Sequence, residues 1–88
     1  MEKQEVFLKV SDMIREVLMA KSLKIEMDNN LADDLGMDSM AAVEFVNAVE
    51  DDFKIAINET EMQSIKTVND AVTMILEKTN HAYFPNKS

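Results

Sequence analysis

The sequence predicts an all-α domain arranged as a four-helix bundle, with a long loop between helices 1 and 2 and a short third helix. Three observations predict it. Apolar residues recur at spacings of three and four in separate stretches, the period of a helix that buries one face. The 88 residues include one Gly and one Pro, whereas an all-β domain of this size needs turn residues every ~8–12 positions. Hydrophobic residues make up 47% and charged residues 30% of the chain, an apolar fraction that disordered chains do not reach. One domain is expected over residues 1–80, with a flexible C-terminal tail at 81–88.

The first helix runs from Gln4 to about Met19, where Val6, Phe7, Val10, Met13, Ile14, Val17 and Leu18 keep the helical period. The second runs from about Ser39 to Phe53, with Met40, Val43, Val46, Val49 and Phe53 on one stripe and Glu44, Glu50 and Asp51 off it; Ala41, Ala42 and Ala48 add helix propensity. Asn58 and Glu61 form a cap pair ahead of Met62 and Ile65, enough for one or two helical turns. The last helix opens on Thr67, with Asp70 three residues later, and continues through Val68, Ala71, Val72, Ile75 and Leu76 to near Lys78. The tail from His81 holds the single Pro and shows no periodicity.

Ala20 to Asp38 is a long connection for so small a domain. Ser22–Met27 and Lys54–Ile57 both alternate polar and apolar residues, the pattern of a two-stranded ribbon. The favoured arrangement is an extended loop pegged onto the helices by Leu23, Ile25, Leu31 and Leu35, because a small domain needs that apolar burial.

Charge and composition narrow the functions. The net charge of −8 disfavours nucleic acid and anionic lipid as partners, since phosphate contacts need Lys and Arg. Residues 28–61 hold ten acids against Lys54, a net −9, so basic protein surfaces are the expected partners. No apolar run approaches the ~18 residues of a membrane span, and a cytoplasmic monomer is expected. The absence of Cys removes disulfides, thiolate metal sites and any thiol nucleophile of the chain's own. His81 is the single histidine and lies in the tail, which leaves no base and orienting partner for acid–base or nucleophilic catalysis. A calcium loop started at Asp28 places Ala32 at the fifth position and Asp33 at the sixth, where oxygen and Gly are required. The expected chain is therefore not an enzyme and holds no metal.

The informative segment is Asp33-Asp34-Leu35-Gly36-Met37-Asp38-Ser39-Met40. Gly36 permits a turn that a Cβ resists, Asp38 or Ser39 can cap the following helix, and the helix N-terminus favours an attached phosphate. Together with Val43-Glu44-Phe45, Glu50-Asp51-Asp52-Phe53, Ile55-Ala56-Ile57 and Ile65-Lys66-Thr67-Val68, this segment closely resembles the acyl carrier protein family over nearly the whole chain. The resemblance implies an acyl-carrier-type bundle and a serine, here Ser39, that receives 4'-phosphopantetheine covalently from coenzyme A. The terminal thiol of that arm then carries acyl intermediates as thioesters.

A chain without Cys must import a thiol, so the resemblance and the composition agree. It further implies a phosphopantetheinyl transferase as partner, and acyl-loading, synthase and acyl-transfer enzymes with basic docking patches. Asp38, Met40, Glu44, Glu50 and Asp51 match the family's partner-docking positions. Met40 stands where Leu is usual, Ala41 and Ala42 replace polar residues, and Asn58 replaces a frequent Pro. Asn47 sits where fatty-acid carriers usually have an apolar residue, while Glu44-Phe45-Val46-Asn47 only partly matches the Glu-Leu-Arg-Asn of polyketide carriers. A fatty-acid or polyketide-type pathway is expected. The competing reading is an unmodified acidic interaction module whose eight Met line an adaptable groove, which requires those side chains to face outward.

Overall fold

The computed structural model describes residues 2–83. Four helices follow one another: α1 (Lys3–Leu18), α2 (Ser39–Phe53), α3 (Glu59–Ser64) and α4 (Val68–Tyr83). Among the described residues no strand forms, and the one bridge joins Asn30 to Thr67. The ribbon alternative for 22–27 and 54–57 is therefore not adopted. No helix among these residues is long and apolar enough to cross a membrane.

α1 packs against both α2 and α4. Val6, Val10 and Ile14 supply its buried stripe, meeting Phe45 and Val49 of α2 and Val68, Ala71, Val72 and Ile75 of α4. The expected face of α2 holds at Val46, Val49 and Phe53, which are buried or packed against the core, and needs correction at Met40 and Val43. Phe45, Val46 and Val49 are buried, whereas Met40 is 73% and Val43 46% exposed. At 100° per residue, Val43 and Phe45 lie about 200° apart, so one must face solvent when the other faces the core. Extending the stripe from Met40 and Val43 by helical steps reaches Asn47, Glu50 and Asp51, while extending it from Phe45 reaches Val49 and Phe53. The second stripe stays apolar and is the one buried.

α1 and α2 end alike. Met19 and Lys54 adopt left-handed backbone angles, φ 55° and 59°. The next amides, Ala20 and Ile55, donate back to the carbonyls of Arg15 and Glu50 at 2.9 and 3.2 Å, the closure expected of a left-handed C-terminal cap. α3 is short but well capped: Asn58 accepts the Glu61 N–H at 2.8 Å, and Glu61 accepts the Asn58 N–H at 3.0 Å. The Lys78 ammonium lies 2.9 Å from the same Glu61 carboxylate and ties α3 to α4. The Asn58 N–H first, and then Lys78, hold the Glu61 carboxyl below its usual pKa.

α4 starts as expected, with Thr67 Oγ1 accepting the Asp70 N–H at 3.1 Å and the Asp70 carboxylate accepting the Thr67 and Lys66 amides at 3.0 Å. Its end differs from expectation. The helix passes Lys78 and continues to Tyr83, because no Gly or Pro interrupts the chain before Pro85; within it Thr79 donates its hydroxyl to the Ile75 carbonyl at 2.8 Å. Residues 81–83, assigned to the tail from sequence, are thus helical, and the remainder of that expected tail lies outside the described residues.

Candidate functional site

The loop between α1 and α2 is held along its length. Arg15 Nε donates to the Leu23 carbonyl at 2.8 Å, and Ile25 and Leu31 are buried in the core, with Leu23 and Leu35 packed partly against it. Three backbone bonds then clamp it to the start of α4. Leu31 N–H donates to the Lys66 carbonyl at 2.9 Å, while Val68 and Asn69 N–H donate to the carbonyls of Asn29 and Met27 at 3.0 and 2.9 Å. The loop thereby satisfies two amides in the first turn of α4 that have no partner within the helix.

A single turn follows. Asn30 Oδ1 accepts the amides of Ala32 and Asp33 at 3.0 and 2.8 Å, and Asp34 accepts the Asn30 N–H at 2.7 Å. Gly36 ends the turn with φ +75°, and a Cβ there would meet nothing within 4 Å; the backbone angle, not space, selects glycine. Met37 N–H then bonds the Leu31 carbonyl at 2.9 Å, and the Met37 side chain is 6% exposed. This anchor was missed in the sequence, where a Met between Gly and Asp carries no periodic signal. Asn30 was missed as well, although an Asn three residues before Asp33 is a turn-capping signal that could have found it.

Asp38 caps α2: its carboxylate accepts the Ala41 N–H at 2.8 Å, and its carbonyl accepts that of Ala42 at 2.8 Å. The choice between Asp38 and Ser39 is settled. Ser39 is the first helical residue, exposed and relieved of capping. The residue is exposed, so its hydroxyl is open to a reagent beside the electropositive end of a fifteen-residue helix. A phosphodiester on that oxygen meets no buried wall, so the residues present fit a covalently attached phosphopantetheine.

The other expected site residues are spread over the same helix. Met40 is exposed one residue after Ser39, Glu44 and Asp51 are exposed further along, and Asp51 borders a shallow groove with Lys9, Asp12 and Glu16. Glu50 is different: its carboxylate turns back to accept the Ile57 N–H at 2.7 Å and holds the α2–α3 connection. No cluster of three or more metal-ligating side chains forms among the described residues. Among the described residues the methionines of the competing reading do not line one outward groove: Met37 is buried, Met13 and Met27 pack against the core, and the exposed Met19 and Met40 lie on different elements.

An acidic helical bundle that offers an exposed serine just after its N-cap has the form of a carrier domain. Comparison with known proteins agrees. The family described as "Phosphopantetheine attachment site" matches residues 9–75. The acyl carrier protein of Petrotoga mobilis is 36% identical over 80 residues, covering 91% of this chain and 94% of that protein. That of Prochlorococcus marinus is 38% identical, with 89% and 98% covered. A solved Mycobacterium tuberculosis chain described as an acyl carrier protein superposes with a TM-score of 0.78 at 32% identity, covering 82% of this chain and 96% of that one. The chain belongs to the acyl carrier protein family. It is a carrier and not an enzyme, it bears 4'-phosphopantetheine covalently, and it works with biosynthetic enzymes.

Proposed function

We propose that Ser39 bears the arm and that the carried thioesters belong to fatty-acid or polyketide-type biosynthesis in the cytoplasm. The observation that carries the assignment is the division of labour at the start of α2, where Asp38 caps and Ser39 stays exposed. A phosphopantetheinyl transferase supplies base and metal; Ser39 Oγ attacks the β-phosphorus of coenzyme A, and the adenosine bisphosphate leaves. The chain's own residues cap α2 at Asp38 and leave Ser39 exposed in its first turn.

Docking follows from charge and exposure. Asp38, Glu44 and Asp51 give α2 a negative outer face and Met40 an apolar contact beside the arm, while Glu50 adds charge with one oxygen tied to the loop. Complementary charge raises encounter rates more than it slows release, which suits a monomeric carrier that visits acyl-loading, synthase and acyl-transfer enzymes with basic patches. The long arm keeps the thioester at high effective concentration near each of them.

The test is intact-mass spectrometry after incubation with a transferase and coenzyme A. One phosphopantetheinyl group adds per chain, and Ser39→Ala abolishes it while remaining helical by circular dichroism. Modification of that variant, or of Ser11, Ser22 or Ser64 in place of Ser39, overturns the assignment.

A further inference from the structure

The thioether of Met40 enters the carrier role only as an apolar contact, and its redox chemistry is not used there. The chain has eight Met, and the fold sorts the seven among the described residues by access. Met37 is 6% exposed, whereas Met40 is 73% and Met19 90% exposed. Met13 and Met27 pack against the core, and Met62 and Met74 are half-buried. Thioether oxidation follows the oxidant's access to sulfur, so among the described residues the two exposed methionines react first. Only one of them, Met40, adjoins Ser39; Met19 sits at the C-terminal cap of α1.

We propose that Met40 is a peroxide-reactive modification site whose conversion to the sulfoxide weakens enzyme docking at Ser39. The inference rests on the reading of Ser39 as acceptor. The Met40 sulfur attacks one oxygen of a hydroperoxide, an S–O bond forms as the O–O bond breaks, and the peroxide leaves as water or as the alcohol. Sulfur loses two electrons and the peroxide gains them. The product replaces a soft apolar contact with a strong dipole, in a patch where Met40 and Val43, one turn further on, are the exposed apolar groups of α2. A partner that buries this patch must now desolvate a sulfoxide without a matching donor. The thioether of Met37, three residues away, is shielded, so mild oxidation changes the contact without opening the core.

The experiment exposes the full chain to limiting hydrogen peroxide, maps sulfoxides by peptide mass spectrometry, and measures transfer of the arm from coenzyme A by a phosphopantetheinyl transferase. The original chain, Met40→Leu and Met19→Leu are each compared with their own unoxidised sample. Sulfoxide appears at Met19 and Met40 before Met37. Oxidation raises the KM for the original chain and for Met19→Leu on the order of tenfold, with kcat kept, as expected for a polar group placed in an apolar contact, and leaves Met40→Leu at its own starting KM. Methionine sulfoxide reductases with a dithiol restore the original chain; the oxygen leaves as water and the dithiol becomes a disulfide. The proposal is overturned if Met40 is fully oxidised without change in KM, if Met40→Leu loses as much as the original chain, or if Met37 oxidises before Met40. Failure of Ser39 to take the arm before peroxide is added refutes the acceptor assignment instead, and is read directly from the unoxidised control.

Discussion

Replacing Asp38 with Ala removes the carboxylate that accepts the Ala41 N–H at 2.8 Å and leaves that amide to water. Loss of an N-cap of this kind costs about 1 kcal/mol, within a range of ~0.5–2. For a domain of 60–100 residues, 1 kcal/mol lowers Tm by about 4–8 °C. The damage is local, because Met37 stays anchored through Leu31 and the buried stripe of α2 begins several residues later at Phe45. The first turn of α2, which holds Ser39, therefore frays while the bundle persists. Asp38→Ser separates the two roles of the side chain: it restores an acceptor for Ala41 but removes the charge. Thermal melts followed by circular dichroism should place Asp38→Ser within a few degrees of the original chain and Asp38→Ala well below it. Transfer of the arm to Ser39 should fall for both, Asp38→Ser through weaker encounter and Asp38→Ala through encounter and fraying together. An Asp38→Ala protein that melts with the original chain would refute this, since Ser39 would then owe nothing to the cap for its place in the first turn.

Ser11 is 3% exposed and its Oγ has no hydrogen-bond partner, so Ser11→Ala should leave Tm unchanged or raise it, since an unsatisfied buried hydroxyl costs about 1–3 kcal/mol; a lower Tm would show that the hydroxyl is bonded. Lys54 holds φ 59° at the end of α2, and Lys54→Gly should gain up to about 1 kcal/mol in a urea melt, because a Cβ is disfavoured in that conformation. Glu61, held below its usual pKa, contributes stability that is present above pH 4.5 and lost as pH falls through its folded value. Glu61→Gln keeps a side-chain oxygen for the Asn58 N–H, so its deficit in Tm should be seen at neutral pH and vanish under acid. The net −9 of residues 28–61 should make Asp51→Asn stabilising at low ionic strength, with the gain shrinking towards 1 M salt as the Debye length falls to ~3 Å; a melt indifferent to salt would refute the repulsive face.

Much of this fold was legible because its signals are local. The span Ser39–Phe53, the Asn58–Glu61 box and the Thr67–Asp70 cap each rest on residues three or four apart, and each appears where the side chains direct it. The face of α2 was misread because Met40 and Val43 are as apolar as the residues that pack; only following their stripe to Asn47 and Asp51 separates them. Met37 and the clamp between 27–31 and 66–69 were not legible, since backbone bonds between distant segments leave no mark on side-chain pattern. At the site, Asp38 and Ser39 were both visible as cap candidates, and only the hydrogen bond to Ala41 divides their roles. Glu50 looked like any other exposed acid until its carboxylate was found on Ile57.

The clamp also decides which amide protons report on what. In an isolated helix the first-turn N–H groups exchange with solvent almost freely, because nothing inside the helix binds them. Here Val68 and Asn69 donate to carbonyls about forty residues earlier in the chain, and their protons exchange only when the loop lifts away from α4. Hydrogen exchange at these two positions, set against that of Val72 and Ile75 in the middle of the helix, therefore reads the opening free energy of the loop separately from that of the whole domain. The start of α4 acts as a latch gauge for the segment that leads to Ser39, read from a series of two-dimensional spectra recorded during exchange.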